Sequence, residues 1–257
     1  MTEVIYDGTY EGWLTAVFEV YEYKLADIVF AKNETSGTLL FADSHLVVTD
    51  ILKAKRVLDG LKQRLSPEGL LDIHKAFLSD LSKIEETMLQ FAQHVFANSK
   101  NVEEDFSNNA VWGLRKASRL TGKEAHRMEA FVRFKLTKDH LYYAIIEPDC
   151  DVLPLIQSHF KNRYADQRWL IYDAKRKYGI YYDLDNVAAI ELQFNMKVSS
   201  SKHLTEICDE KEEFFQNLWK RYFSSVTIES RKNMKLHIQH MPKRYWRNLI
   251  EKIPNLK

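Results

Sequence analysis

The feature that most restricts the fold is a change of hydrophobic period between residues 131 and 182. The first pair of segments, 131–136 and 141–146, changes to a period of two, and a second pair of β-prone segments, 169–173 and 178–182, follows a segment of helical period. Period-two alternation predicts half-buried strands. The predicted strands are Phe131–Leu136, Leu141–Ile146, Trp169–Asp173 and Tyr178–Tyr182, with a helix over Val152–Tyr164. The order β-β-α-β-β is typical of two hairpins in one antiparallel sheet with helical cover, which predicts an α+β protein.

The N-terminal half is predicted to be mainly helical. Val4–Tyr6 is a short β-prone run that ends in a turn, and helical spacing follows it. Residues 50–97 show helical spacing with N-cap signals and predict a run of helices, and a further, basic helix is predicted over 110–127. Thr38–Phe41 and Leu46–Val48 are predicted to pair as short strands.

The domain organisation follows from length and linker signals. Ser199–His203 is the best candidate for a linker, and a C-terminal helix is predicted over 204–222. At 257 residues the chain is long enough to bury a substantial core. We expect one compact unit over 1–257; the alternative is a subdivision into a mainly helical 1–127 and a part at 128–257 with the sheet and the C-terminal helices.

Charge is balanced over the chain but segregated along it. There are 37 cations and 36 anions in total, yet the ten cations between Trp219 and Lys257 face only Glu229 and Glu251. Such a segment can neutralise phosphates, and the amide and aromatic side chains within it can contact base edges or stack on unpaired bases. The alternative interpretation is a solvated or salt-bridged surface.

A metal or cofactor site is not predicted. His237 and His240 stand three residues apart and share a helix face, but no third ligand has a diagnostic spacing. The two cysteines, Cys150 and Cys208, form no CxxC pair, and the chain contains no GxGxxG, GxxxxGK[ST] or GxSxG motif. Packing or phosphate contact is the preferred interpretation of the histidine pair.

Four titratable side chains are candidates for acid or base catalysis. Glu124 and His126 precede the first predicted hairpin, His159 lies on the predicted helix, and Asp173 ends a strand before a basic turn. The β-β-α-β-β order can bring such groups together. Helix capping and a charged hairpin tip are the alternative roles.

The N-terminal residues show no secretion signal, because Met1–Asp7 lacks a basic region followed by an apolar core. No apolar run has the length needed to cross a bilayer. A cytoplasmic protein without a membrane role is expected.

Several long motifs resemble a bacterial family known as probable DNA metabolism proteins, a domain of unknown function, and the resemblance spans nearly the whole chain. The motifs are Tyr6–Phe18, Val48–Leu61, Glu124–Phe134, Arg231–Lys235 and Met241–Trp246. The resemblance implies a partner, since members are typically encoded beside a radical-SAM protein thought to act in DNA modification or repair. Longer members carry a domain similar to uracil-DNA glycosylases, whose motifs and cysteines this chain lacks, so base excision is not expected of it.

The resemblance also indicates positions for a site, without an established role for any of them. We take the matching cationic, polar and aromatic positions as candidates for nucleic-acid binding. They are Arg127, Arg133, Arg163, Lys175, Arg176, Arg231, Lys232, Asn233, His240, Lys243, Arg244, Tyr245 and Trp246.

Three functions are therefore open. The first is a DNA-binding protein of DNA repair or modification that acts with a radical-SAM partner. The second is an enzyme on a nucleic acid or nucleotide that uses Glu124, His126, His159 or Asp173 as acid or base. The third is a protein adaptor whose basic C-terminal segment binds an acidic partner. The sequence defines neither a reaction nor an oligomeric state.

Overall fold

The computed structural model describes residues 1–32, 43–191, 216–221 and 233–252. The chain divides into two compact units, Met1–Gly122 and Lys123–Lys257. Helices make up 51% and strands 18% of the structure, so the predicted α+β class is confirmed. Within the described ranges, no helix combines the length and the apolar character needed to cross a bilayer.

The first unit combines a small parallel sheet with helices. The three strands among its described residues lie in the order β2-β1-β3, and both neighbours of β1 run parallel to it. The strands and helices are β1 (Thr2–Tyr6), α1 (Tyr10–Glu22), β2 (Ile28–Lys32), β3 (Asp43–Leu46), α2 (Ile51–Lys62), α3 (Pro67–Phe77), α4 (Ile84–Ala97) and α5 (Asn109–Phe131), and the division between the units falls within α5.

Local sequence signals account for the helices of this unit. Thr9, Asp50 and Ser66 each accept a hydrogen bond from a backbone N–H in the first turn of α1, α2 and α3. The run of helices predicted over 50–97 is confirmed by α2, α3 and α4. The buried residues of α1 and α4, such as Trp13 and Phe91, lie in one apolar cluster.

The strand pairing predicted for this unit stays a prediction, because one of its two strands is not among the described residues. β3 pairs in parallel with β1, and Thr38–Phe41, the proposed hairpin partner, lies outside the described residues. Strand β2 was not predicted from the sequence. A helix follows β1 directly, and a helical crossover returns the chain in the same direction, so parallel pairing follows from the β-α-β order.

In the described part of the second unit, five strands form one sheet in the order β4-β5-β6-β7-β8. Its elements after α5 are β4 (Lys135–Leu136), β5 (Tyr142–Ile146), α6 (Leu153–Arg163), β6 (Trp169–Asp173), β7 (Tyr178–Tyr182), β8 (Val187–Glu191), α7 (Met234–His240) and two 3-10 helices, Lys243–Asn248 and Ile250–Lys252. Residues 216–221 are helical, within the range predicted as 204–222. The predicted linker Ser199–His203 lies outside the described residues.

Two details of the predicted sheet need correction. The sheet is mixed, because β5 and β6 pair in parallel while the remaining neighbours are antiparallel. Helix α6 connects β5 to β6 and requires this direction. The first strand is also shorter than predicted, since α5 continues to Phe131 and buries Met128 in the apolar cluster that includes Phe160 and Trp169.

Candidate functional site

Several of the predicted site residues converge on the loop that connects β5 to α6. This loop, residues 147–151, has the sequence Glu-Pro-Asp-Cys-Asp, and we call it the acidic loop. Side chains from α5, from the turn between β6 and β7, and from the 3-10 helix Lys243–Asn248 contact it.

Glu124 holds the acidic loop from α5. Its carboxylate accepts hydrogen bonds from the backbone N–H of Asp149 (3.0 Å) and of Cys150 (2.8 Å), and the residue is only 1% exposed. The hydroxyl of Tyr245 donates a further bond of 2.6 Å, and Arg244 Nη2 lies 3.3 Å away. Burial alone would raise the pKa of Glu124, but these donors outweigh it and hold the pKa below its usual value. Glu124 is therefore an ionised carboxylate whose acceptor positions serve the structure.

Asp173 organises the basic turn, residues 174–177, in a similar way. The side chain has no solvent exposure and accepts hydrogen bonds from the backbone N–H of Lys175 and Arg176 and from the Arg176 guanidinium (2.8 Å). Lys177 closes the turn with a φ of 61°. The turn then reaches the acidic loop, because Lys175 Nζ and Arg176 Nη2 donate to the carbonyl of Asp149 at 2.9 and 2.7 Å.

The C-terminal segment, residues 233–252, contacts the acidic loop through two arginines. Arg244 pairs with the Asp149 carboxylate at 3.0 Å, and Arg247 pairs with Glu147. Arg127 on α5 donates to the carbonyl of Gln239 at 3.4 Å. These contacts bring together the three basic stretches that the sequence analysis identified separately.

The aromatic and polar members of this segment have structural partners. Tyr245 is 4% exposed and packs 5.8 Å, between ring centroids, from Phe131, so it anchors the segment. Trp246 donates from its indole nitrogen to the Met241 carbonyl, and Asn233 caps α7. His240, in the last turn of α7, is exposed. Arg231 and Lys232 lie outside the described residues.

Two further arginines of the predicted set lie elsewhere in the unit. Arg133 pairs with Glu251 at 2.8 Å, and its guanidinium lies 5.4 Å from the centre of the Trp219 ring. Arg163 is exposed at the end of α6, and its guanidinium lies 5.8 Å from the centre of the Tyr164 ring. Neither contact involves the acidic loop.

The four acid–base candidates separate into two pairs. Glu124 and Asp173 both contribute to the contacts around the acidic loop. The histidines have neighbours on their own helices: His126, with its side chain 87% exposed, lies 3.4 Å from Glu129, and His159 packs beside Phe160. In the described part of the chain, no group of three or more His, Cys, Asp or Glu side chains is arranged to hold a metal ion.

An aromatic groove of about 420 Å³ in the second unit was not predicted from the sequence. Its residues come from segments scattered along the chain, so spacing carried no signal of it. The polar and aromatic residues that line it include Arg133, Phe134, Tyr142, Tyr164, Gln167, Gln216 and Trp219.

The fold and the contacts define an α+β protein whose cationic C-terminal segment is bound to an acidic loop of the same unit. Residues 82–251 match the model of a family described as a domain of unknown function, DUF4130, and the chain belongs to this family because the match covers more than half of it. The match includes α6, the acidic loop, the basic turn and nearly all of the C-terminal segment. No curated protein matches the chain.

Proposed function

We propose that this protein binds DNA and acts in DNA repair or modification together with a radical-SAM protein. The resemblance of its long motifs to probable DNA metabolism proteins supports the process and the partner. The distribution of cations in the second unit supports contact with DNA.

The observation that carries the proposal is that some of these cations pair with carboxylates, whereas others do not. Arg176, Arg244 and Arg247 pair with carboxylates and hold the acidic loop in place. Three other cations, Lys175, Lys177 and Lys243, are exposed, and we call them the exposed lysines. Among the described residues, no carboxylate lies within ion-pair distance of any of the three. They are therefore available for phosphates, whereas the arginines serve the fold.

The exposed lysines belong to two segments that meet at one residue. Lys175 binds the carbonyl of Asp149, while the neighbour of Lys243, Arg244, binds the carboxylate of the same residue. The turn and the C-terminal segment can therefore present their lysines to one phosphate backbone. Lysine suits this role as a mobile point charge, and sequence-independent affinity is expected from such contacts.

The test is salt-dependent binding to single-stranded and double-stranded oligonucleotides by the double variant Lys175→Ala, Lys243→Ala. If each lysine neutralises a phosphate, the double variant binds more weakly, and the slope of log K against log salt becomes shallower by about 2. Neither substitution removes an ion pair between described residues. Lys175→Ala removes one hydrogen bond to the Asp149 carbonyl, which Arg176 continues to bind, so the fold is expected to persist.

The matched control is Lys55→Ala, Lys100→Ala, which removes two exposed cations from the first unit. It is expected to keep the slope of the original protein. An unchanged slope in the Lys175, Lys243 variant, or an equal change in the control, would contradict the proposed surface. Absence of DNA binding at low salt together with co-purification of the radical-SAM protein would instead favour an adaptor.

A further inference from the structure

The aromatic groove of the second unit has the composition of a stacking site. Its volume of about 420 Å³ lies within the range of small-ligand pockets, roughly 300–1,000 Å³. Phe134, Tyr142, Tyr164 and Trp219 supply ring surfaces, while Gln167 and Gln216 supply amides. Rings can stack on the face of a planar heterocycle, and amides can bond to its edge.

We propose that this groove binds one unstacked base of single-stranded DNA, an inference that rests on the proposed function and adds the mode of recognition to it. An exposed cation next to the groove argues for a nucleotide over an apolar ligand. Arg163 lies 5.8 Å from the ring of Tyr164, and no carboxylate within the described ranges is at ion-pair distance from it. Its guanidinium is placed for a phosphate beside the bound base.

The Trp219 ring is held in position before any ligand binds. Its indole nitrogen donates to Glu251 at 3.0 Å, and the guanidinium of Arg133 lies 5.4 Å from the centre of the ring. Arg133 is itself fixed by Glu251, whose side chain is 1% exposed. A stacking ring that is already oriented loses little conformational freedom on binding, which favours affinity.

The first measurement uses the unaltered protein and a single-stranded oligonucleotide that contains 2-aminopurine. Stacking quenches this fluorescent base, so binding is expected to reduce its emission, and a duplex with the base paired is expected to show a smaller change. Binding itself is followed independently by fluorescence anisotropy of an end-labelled strand. Anisotropy without quenching at any 2-aminopurine position would overturn the groove proposal alone.

The second measurement compares variants of one ring. Trp219→Ala is expected to bind single-stranded DNA roughly 5- to 150-fold more weakly, the range seen when one stacking side chain is removed, with little change in the salt slope. Trp219→Phe keeps a ring and is expected to retain most of the affinity. Trp112→Ala is the matched control, because Trp112 is 53% exposed on α5 in the first unit.

The outcomes separate this inference from the proposed function. If the unaltered protein binds no DNA at low salt, both are overturned. If it binds DNA with the salt slope and lysine dependence described above, but Trp219→Ala binds equally well, only the groove proposal is overturned. The groove would then be assigned to another occupant, such as a protein side chain. If Trp219→Ala fails to fold, the 2-aminopurine quenching decides.

Discussion

At the scale of single residues, Glu124 has a demanding environment in the second unit. A carboxylate with 1% exposure is unfavourable unless donors surround it, and here two backbone N–H groups, a hydroxyl and a guanidinium do so. Removal of one partner leaves the others with an unmet hydrogen bond or charge. The free energy of unfolding should therefore be sensitive to Glu124 and Tyr245.

The first prediction concerns Glu124→Gln. The amide nitrogen places donor hydrogens against one of the two backbone N–H groups of the acidic loop, and the charge of the carboxylate is lost. The free energy of unfolding is therefore expected to fall by about 3 kcal/mol at neutral pH. The folded-state pKa of Glu124 lies below its usual 4.5, so its ionised form contributes stability above that pH. This contribution is lost as the pH falls through the lower, folded-state value. The difference between the two proteins should thus shrink in acid.

Urea denaturation at a series of pH values from neutral to acidic measures this difference. Glu129→Gln is the control, because Glu129 lies on the same helix and is partly exposed, and its polar partner among the described residues is the exposed His126. It is expected to change stability by less than about 0.5 kcal/mol. A Glu124→Gln deficit that stays constant into acid would show that the deficit does not arise from the charge of the carboxylate.

The sequence was sufficient to identify Glu124 as a candidate site residue but not to assign its structural role. Its partners lie 25, 26, 120 and 121 residues further along the chain, beyond the reach of any spacing rule. Spacing rules can detect the helix caps at Thr9, Asp50 and Ser66, because a cap and the N–H that it binds are separated by two or three residues. The same limit explains why the aromatic groove was missed while the basic stretches were found.

At the scale of elements, the sheet of the second unit tolerates little extra volume on β7. A Cβ at Gly179 would lie 2.8 Å from the carbonyl oxygen of Ile171, on the neighbouring strand β6. Backbone in the middle of a sheet cannot move aside without breaking its hydrogen bonds. A glycine in a strand often marks such a close approach.

The second prediction is a pair of glycine substitutions with opposite signs. Gly179→Ala is expected to destabilise the protein by about 2 kcal/mol because of this contact. Gly122→Ala is expected to stabilise it by about 0.5–1 kcal/mol, since Gly122 lies in α5 and the nearest atom to its Cβ would be Lys75 Nζ at 3.9 Å. Shifts of the urea midpoint measure both. A stabilising Gly179→Ala would mean that β6 and β7 separate more easily than their register implies.

Elements were predictable in proportion to the strength of their periodicity. The long helices and the strands β5, β6 and β7 have clear patterns and were identified from them. β8 contains Ala188 and Ala189, whose small side chains give a weak alternation, and it was missed. The parallel pairing of β5 with β6 was available from the element order, because a helix between two neighbouring strands implies it.

At the scale of the whole molecule, charge balance limits how DNA can be bound. With 37 cations and 36 anions, overall attraction to a polyanion is weak, so affinity has to come from local contacts.

The third prediction follows from four such contacts, made by the exposed lysines and Arg163. DNA affinity is expected to fall roughly 150-fold between about 50 and 200 mM salt, as read by fluorescence anisotropy. Binding that barely responds to salt would exclude phosphate contacts as its source.

The hydrogen bond between Tyr245 and Glu124 also has a consequence for how the second unit folds during translation. The two residues are 121 positions apart, so at about 5–20 residues per second a ribosome releases Tyr245 roughly ten seconds after Glu124. The acidic loop emerges much sooner and can supply its two N–H groups to the carboxylate while translation continues. For several seconds the nascent second unit therefore carries Glu124 without its hydroxyl and guanidinium donors. Completion of this unit has to wait for the last segment that it needs.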